Sequence, residues 1–133
     1  HHVVKSKEQD PLDYIRKHTG VGVDVALELA GSQSSALTAI KGVKMAGEVV
    51  FLAAPSGGVS IDLLNDVVFR SVSLHGITGR RIWDTWFTMR GLLKSGNLAI
   101  DPVITHHFSF DEYEKGFELM QSAQCGKVVL ELR

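Results

Sequence analysis

The chain has 133 residues, of which 44% are hydrophobic and 22% charged, with a formal net charge of −1. This length predicts about one domain, and the composition is that of an ordinary soluble globular protein with enough apolar residues for a core. The balanced charge, without basic residues interleaved with aromatic ones, argues against a nucleic-acid partner, and the lack of an apolar run of about 18 residues argues against a membrane span.

The cysteine content and the first residues bear on the origin of the chain. Cys125 is the single cysteine and cannot form an internal disulfide, which fits a reducing compartment, so we predict a cytoplasmic location. The chain begins His1-His2-Val3-Val4, without methionine and with an apolar run already in progress. We therefore expect a processed, tagged or truncated piece of a longer protein.

Helix and strand signals alternate from the start of the chain. A helix is predicted to begin at Pro11 with Asp10 as its N-cap, because a capping carboxylate and a proline at the first helical position favour a helix start. Residues 23–29 are the clearest strand, with valines and leucines on one face and small or acidic residues on the other.

A second helix and a second strand follow. The helix is capped by Ser32 or Ser34 and is predicted to close at Gly47. Residues 48–54 form a near-continuous apolar run, which is typical of a strand covered on both faces. Residues 62–69 predict a short helical turn.

A strand, a loop and a helix meet in residues 71–86. Val72 and Leu74 alternate with polar residues as in a strand, and Gly76 and Gly79 bracket the loop that follows. From Arg81 onward apolar residues recur every three or four positions, which predicts a helix with a broad buried face. A loop between the carboxyl end of a strand and a helix is where open α/β sheets bind ligands, although a G-I-T-G segment also fits a plain structural turn.

The pattern changes after residues 96–97. Residues 103–105 predict a short strand, residues 109–112 a capping box that opens a helix, and residues 127–132 a closing strand. The alternation of elements indicates the α/β class, with a parallel sheet and helices on both faces. Residues 1–96 would form this sheet domain, and residues 97–133 would be a separate lobe.

The common catalytic motifs do not occur in this sequence. Gly20-Val21-Gly22 precedes a strand instead of following one and lacks the third glycine of the dinucleotide fingerprint. His106 and His107 are adjacent, so in a strand they point to opposite sides and make a poor pair of zinc ligands. We therefore predict no metal site and no catalytic residue within this chain.

Five segments, in their order and spacing, carry a family resemblance: VGVDVALELAG, AGEVVFLAAPSG, LHGITGRRIWDTW, DPVITHHFSFDEYEKGFELM and GKVVLEL. They resemble the C-terminal part of the zinc-dependent medium-chain dehydrogenases. Within that superfamily, G-I-T-G-R followed by W-D-T-W and D-P-V-I-T-H is most similar to the L-threonine 3-dehydrogenases. The resemblance implies NAD-dependent oxidation of L-threonine to 2-amino-3-oxobutanoate, with a catalytic zinc in the full-length enzyme.

The resemblance implies that this chain contains only part of the enzyme's functional sites. The zinc ligands, the proton relay and the glycine-rich turn of the family lie upstream of the matching segments, so this chain carries none of them. Residues 1–96 would be part of the Rossmann-like NAD-binding domain, and residues 97–133 would return to the catalytic, GroES-like domain. The chain would contribute one wall of the NAD site, from the ends of three strands: Ala30, Gly31, Leu52, Ala53, Ala54, Ile77 and Thr78.

The strand order of the family, 3-2-1-4-5-6, has consequences for the edges of the sheet. The chain would hold an end strand near Val3 and Val4, then strands four to six, and the strand at residues 23–29 would lack its neighbour. We expect the isolated chain to be unstable or to swap a strand. The resemblance also implies a homo-oligomer, a tetramer built as a dimer of dimers, through the edge strand from Val72 to Ile77.

Two alternatives stay open. The chain could belong to another zinc-dependent alcohol or polyol dehydrogenase of the same superfamily, because substrate contacts lie mostly outside the matching segments. It could also be a non-catalytic α/β binding or assembly module, since a fold does not fix a function.

Overall fold

The fold is known from a computed structural model that describes residues 1–53, 55 and 57–132. The chain divides into two compact units, His1–Gly79 and Arg80–Arg133, and each contains parallel strands and helices. This confirms the α/β class. The predicted domain boundary after residue 96 stays a prediction. No described helix is long and apolar enough to cross a membrane.

The first unit contains a three-stranded parallel sheet with its strands in chain order, β1-β2-β3. The alternation of helix and strand predicted from the sequence is confirmed. The elements are α1 at Pro11–Thr19, β1 at Val23–Glu28, α2 at Gln33–Gly42, β2 at Val43–Phe51, a short π-helix at Leu63–Val68 and β3 at Ser73–Gly76.

Both helices of this unit begin where the capping residues predict. The Asp10 carboxylate accepts a hydrogen bond from the backbone N–H of Leu12 at 2.7 Å. At α2 the Ser32 hydroxyl accepts from the backbone N–H of Ser35, whose own hydroxyl accepts from the backbone N–H of Ser32. These bonds satisfy N–H groups that have no partner within the helix.

The predicted end of α2 at Gly47 is wrong. The helix ends at Gly42, and Val43 already pairs with Val23 as the first residue of β2. The next pair joins Val25 to Glu48, so β2 carries a bulge between its two paired stretches, and Gly47 lies in that bulge. By its spacing, Val43 continues the apolar stripe of α2, which favours a longer helix. Its pairing with Val23 in the sheet outweighs this local preference.

The buried face of β1 differs from the one that its apolar residues favour. Ala26 is half-buried and Glu28 only 3% exposed on the face covered by α2, whereas Val25 and Leu27 on the opposite face are 51% and 65% exposed. On that opposite face Glu48 of β2 pairs with His75 of β3 at 3.5 Å.

The core of the first unit lies between the sheet and α2. Its buried side chains are Ile40, Val43, Val49 and Val72. Arg70 stabilises the backbone beside this core. Its guanidinium donates hydrogen bonds to the backbone carbonyls of Ile40, at 2.9 Å, and of Val43.

The end strand expected near Val3 and Val4 is not formed. Both residues lie outside any strand, and Val3 is 91% exposed. No described strand lies beside them, and a strand without a neighbour has no ladder of hydrogen bonds to stabilise it. The open edge predicted at residues 23–29 is confirmed, since β1 is an outer strand of its sheet.

The second unit has its own small parallel sheet. It contains α3 at Asp84–Lys94, β4 at Ile104–Ser109, α4 at Tyr113–Gln121 and β5 at Lys127–Glu131, with β4 paired to β5. Gly116 of α4 packs closely on this sheet: a methyl group at that position would lie 3.5 Å from Val128 and 3.7 Å from Phe108.

The broad buried face expected for α3 is not present. None of its residues is buried, and Trp83 and Trp86 are 68% and 49% exposed. The capping box at residues 109–112 is also incomplete, because the Ser109 hydroxyl donates to the Glu112 carboxylate at 3.1 Å and caps no backbone N–H. Together with Lys115, this hydroxyl lowers the pKa of Glu112, with the Lys115 hydrogen bond as the larger cause.

Candidate functional site

The carboxyl ends of β1, β2 and β3 lie side by side at one edge of the first unit's sheet. In the register of the sheet, Glu28 is opposite Phe51, and Phe51 is opposite Gly76. Parallel neighbours are about 4.8 Å apart, so the residues that follow these three strands start from adjacent positions. Open α/β sheets bind ligands at this kind of edge.

Six of the seven sequence-predicted site residues lie within three residues of these strand ends. Ala54 lies outside the described residues. The others come as three pairs, one after each strand: Ala30 and Gly31, Leu52 and Ala53, Ile77 and Thr78. Leu52 and Ile77 are 55% and 49% exposed, so these positions are open to a ligand.

The ladder of hydrogen bonds continues past the last residues of β2 and β3. The backbone N–H of Ile77 donates to the carbonyl of Phe51 at 2.9 Å, and that of Leu52 donates to the carbonyl of Glu28 at 3.1 Å. These N–H groups are therefore not available to a ligand. Within the described residues, the carbonyl groups of Leu52, Ile77 and Thr78 accept no hydrogen bond, so this edge offers mainly acceptors.

Glu28 is a site residue that the sequence analysis missed. Its carboxylate oxygen Oε1 accepts hydrogen bonds from the backbone N–H of Ala30 at 3.0 Å, the backbone N–H of Gly31 at 2.9 Å and the Ser35 hydroxyl at 2.6 Å. These bonds, the one from Ser35 first, hold the pKa of Glu28 below its ordinary value although burial acts in the opposite direction. The available signal was a carboxylate in an apolar strand just before a serine-rich helix start.

The turns after β1 and β3 both use a glycine in the left-handed region. Gly31 has φ +71° and Gly79 has φ +70°, values that glycine adopts without the steric cost of a Cβ atom. The chain bends at Gly79, at the end of the loop that follows β3. In the second unit, the Arg80 guanidinium lies 5.1 Å from the centre of a Trp86 ring.

The histidines of the second unit do not form a metal centre with their neighbours. His107 pairs through Nδ1 with the Glu131 carboxylate at 2.9 Å, and His106 contacts the Thr105 hydroxyl at 2.9 Å. Across residues 1–53, 55 and 57–132 no three His, Cys, Asp or Glu side chains come close enough to hold a metal ion.

Comparison with known proteins supplies the family. A zinc-binding dehydrogenase profile matches residues 1–95. L-threonine 3-dehydrogenases are similar over nearly the whole chain: that of Bacillus licheniformis is 43% identical over 96% of this chain, and that of Caldanaerobacter subterraneus subsp. tengcongensis is 44% identical over 96%. The chain spans 37% and 38% of the length of these two relatives.

Among solved structures, 2R,3R-butanediol dehydrogenase from Bacillus subtilis is 30% identical with a TM-score of 0.82, covering 98% of this chain and 38% of that enzyme. Benzyl alcohol dehydrogenase from Acinetobacter calcoaceticus shares the fold with a TM-score of 0.84 at 23% identity, covering 99% of this chain and 37% of that chain. With a profile match over most of its length, and with parallel strands ending side by side at one edge, the chain belongs to the zinc-binding dehydrogenase family.

Proposed function

We propose that this chain is the C-terminal portion of an NAD-dependent L-threonine 3-dehydrogenase. The whole enzyme would oxidise the 3-hydroxyl of L-threonine to 2-amino-3-oxobutanoate and transfer the hydride to NAD. The observation that carries this proposal is the row of three adjacent strand ends, together with similarity to L-threonine 3-dehydrogenases over 96% of the chain.

The role of this chain would be to form one wall of the NAD site. Ala30, Gly31 and Ala53 have small side chains, which leave room for a flat ring beside the backbone. The carbonyl groups after β2 and β3 would accept hydrogen bonds from the carboxamide NH₂ of nicotinamide, since the N–H groups of Leu52 and Ile77 are already used in the ladder. Ala54, which lies outside the described residues, is proposed for the same wall on the family resemblance.

Zinc would be held by another part of the enzyme. The described residues bring no set of three ligands together, whereas a catalytic zinc usually has three protein ligands. We therefore assign no zinc ligand and no proton-transfer step to these residues. When bound in the whole enzyme, zinc would polarise the substrate hydroxyl.

The whole enzyme would be a cytoplasmic homotetramer, assembled as a dimer of dimers. β3 is an outer strand of its sheet, and its side away from β2 is a row of backbone groups on which a second copy could extend the sheet. Leu74 in the middle of β3 is 38% exposed, which supports contact with an apolar partner. The interface would include the segment from Val72 to Ile77.

The test uses a joined protein, in which this chain replaces the matching C-terminal residues of the Bacillus licheniformis relative. NADH formation is followed by its absorbance with L-threonine, with 2,3-butanediol and without substrate. We expect NADH formation with L-threonine. The second candidate is tested by joining this chain to the upstream part of the Bacillus subtilis butanediol dehydrogenase, because the substrate contacts lie mostly in that part. Equal or greater activity of that protein with 2,3-butanediol would favour a polyol dehydrogenase.

A non-catalytic module gives a different result. If neither the joined protein nor the chain alone binds NAD in calorimetric titration, the dehydrogenase proposal is wrong. Binding by the joined protein only is the expected outcome, because the first strands of the family's sheet are needed to complete the site.

A further inference from the structure

We infer that Glu28 is a positioning residue for NAD: its buried carboxylate holds the turn after β1 and the first turn of α2 in the shape that the cofactor requires. This inference rests on the proposed function, since it concerns the same wall of the NAD site. It adds a residue that touches neither the substrate nor the cofactor.

The first argument is burial. Glu28 is 3% exposed and is the buried charged residue of the described chain. A buried carboxylate is unfavourable unless it is well hydrogen-bonded, and an apolar residue would fill the same place at lower cost. The charge therefore has a use that packing alone does not supply.

The second argument is what the carboxylate holds. One oxygen, Oε1, accepts from the backbone N–H groups of both Ala30 and Gly31, at 3.0 Å and 2.9 Å. With both N–H groups directed at the same oxygen, the two peptide planes of this turn are fixed in direction. Ala30 and Gly31 are the residues through which β1 would meet the cofactor.

The third argument is the link to α2. Ser35 donates its hydroxyl to Glu28 at 2.6 Å and belongs to the capping box of α2 with Ser32. The carboxylate therefore joins the strand end, the turn and the helix start in one network. Such a network positions neighbouring groups more accurately than separate contacts do.

The experiment compares Glu28→Ala, Glu28→Gln and Asp24→Asn in the joined protein. Glu28→Ala removes every acceptor, and we expect the Kd and KM for NAD to rise about tenfold, roughly the value of one hydrogen bond to a charged acceptor. Glu28→Gln keeps a carbonyl oxygen for the same three donors, so it should restore NAD affinity to within about threefold of wild type. Asp24→Asn is the matched control on β1, where the carboxylate is 83% exposed and pairs with Lys44.

Measuring KM and kcat separately distinguishes a positioning role of Glu28 from a loss of stability alone. A smaller folded fraction lowers kcat and leaves KM unchanged, whereas a displaced wall raises KM for NAD and leaves kcat nearly unchanged. If Glu28→Ala does not fold, Ser35→Ala takes its place, with an expected rise of a few fold in the NAD KM because one donor is lost.

Two outcomes would overturn the inference. One is a wild-type NAD affinity in Glu28→Ala, or in Ser35→Ala if that variant is used. The other is a loss of kcat alone. In both cases the wild-type joined protein still binds NAD and turns over L-threonine, so the proposed function survives. Failure of the wild-type joined protein to bind NAD would instead reject the proposed function.

Discussion

Gly22 occupies a position that no other residue fits. Its φ is +114°, and a methyl group there would lie 2.7 Å from the backbone of Gly42, Val43 and Lys44. We predict that Gly22→Ala destabilises the joined protein by more than about 1 kcal/mol, because both the backbone conformation and the close contact oppose a Cβ atom. Urea unfolding measures this.

The matched control for Gly22 is Gly58→Ala. A methyl group at Gly58 would have no atom of the described residues within 4 Å, and its φ is not in the left-handed region. The free energy of unfolding of this variant should lie within about 0.5 kcal/mol of the wild-type value. Equal stabilities of the two variants would disprove the steric argument.

The pH dependence of stability provides a second test at the residue scale. The pKa of Glu28 is lowered in the folded protein, chiefly by the Ser35 hydrogen bond, from an ordinary value of 4.5. A depressed carboxylate pKa stabilises the fold above the unfolded-state pKa, and this contribution is lost as pH falls through the folded-state pKa.

We therefore predict that the stability advantage of wild type over Glu28→Gln is greatest near about pH 7 and shrinks below about pH 4.5. Urea unfolding of both proteins across this range measures it, and other carboxylates affect both proteins alike. A difference that stays constant with pH would show that the charge of Glu28 does not contribute.

Local chemistry explains which residues could be predicted. Asp10 was identified as a cap, and Ser32 as one of two candidates with Ser34, because a capping side chain bonds to backbone only two or three residues away. Glu28 was missed because its burial depends on Ser35 and on the packing of α2, seven or more residues away in sequence. Sequence periodicity contains no information about that contact.

Arg70 stabilises α2 from the end opposite its capping box. Its guanidinium donates to the carbonyls of Ile40 and Val43, at the end of the helix where carbonyl groups lack partners and where positive charge is favourable. We predict that Arg70→Met costs about 2 kcal/mol in urea unfolding of the joined protein.

Two comparisons isolate the role of Arg70. Arg70→Lys should recover only part of the loss, since lysine cannot donate to two carbonyls in the fixed geometry of a guanidinium. Arg16→Met removes an arginine that is 62% exposed and 3.8 Å from Asp13, so it should cost no more than about 0.5 kcal/mol. A similar loss in Arg16→Met and Arg70→Met would contradict this account.

The order of the elements was predictable, but their faces and ends were less so. The strands at residues 23–29 and 48–54 were located because apolar runs bounded by turn residues mark strands. The end of α2 was misplaced because the pairing of Val43 with Val23 is not a local property. The prediction of a buried face on α3 was wrong. Apolar periodicity indicates which face of a helix favours burial, but not whether other residues of this chain pack against it.

The open edge of β1 is the main weakness of the chain as a separate molecule. Among the described strands β1 has a neighbour on the β2 side alone, and Val25 and Leu27 are more than half exposed. An unpaired strand edge beside exposed apolar side chains favours association. We predict that the purified 133-residue chain aggregates, swaps a strand or unfolds without cooperativity.

Sedimentation and urea unfolding of the chain alone test this prediction. The joined protein is the control and should unfold cooperatively, because its upstream part provides a neighbour for β1. A monomeric chain with one cooperative transition would contradict the importance of the open edge.

At the scale of the whole molecule, the family could be recognised from five short segments because their order and spacing reflect the fold. The α/β class and the row of strand ends follow from the alternation of elements, since parallel strands end at the same edge. The continued ladder at Ile77 and Leu52 could not be predicted, because hydrogen bonds beyond a strand's last residue depend on the path of its neighbour.

The most direct measurement of the central claim is a crystal structure of the joined protein with NAD bound. We predict that the nicotinamide end of NAD lies within about 3.5 Å of carbonyl groups following both β2 and β3, among Leu52, Ala53, Ile77 and Thr78. Ala30 and Gly31 should line the same wall. NAD bound with none of these residues in contact would contradict the account.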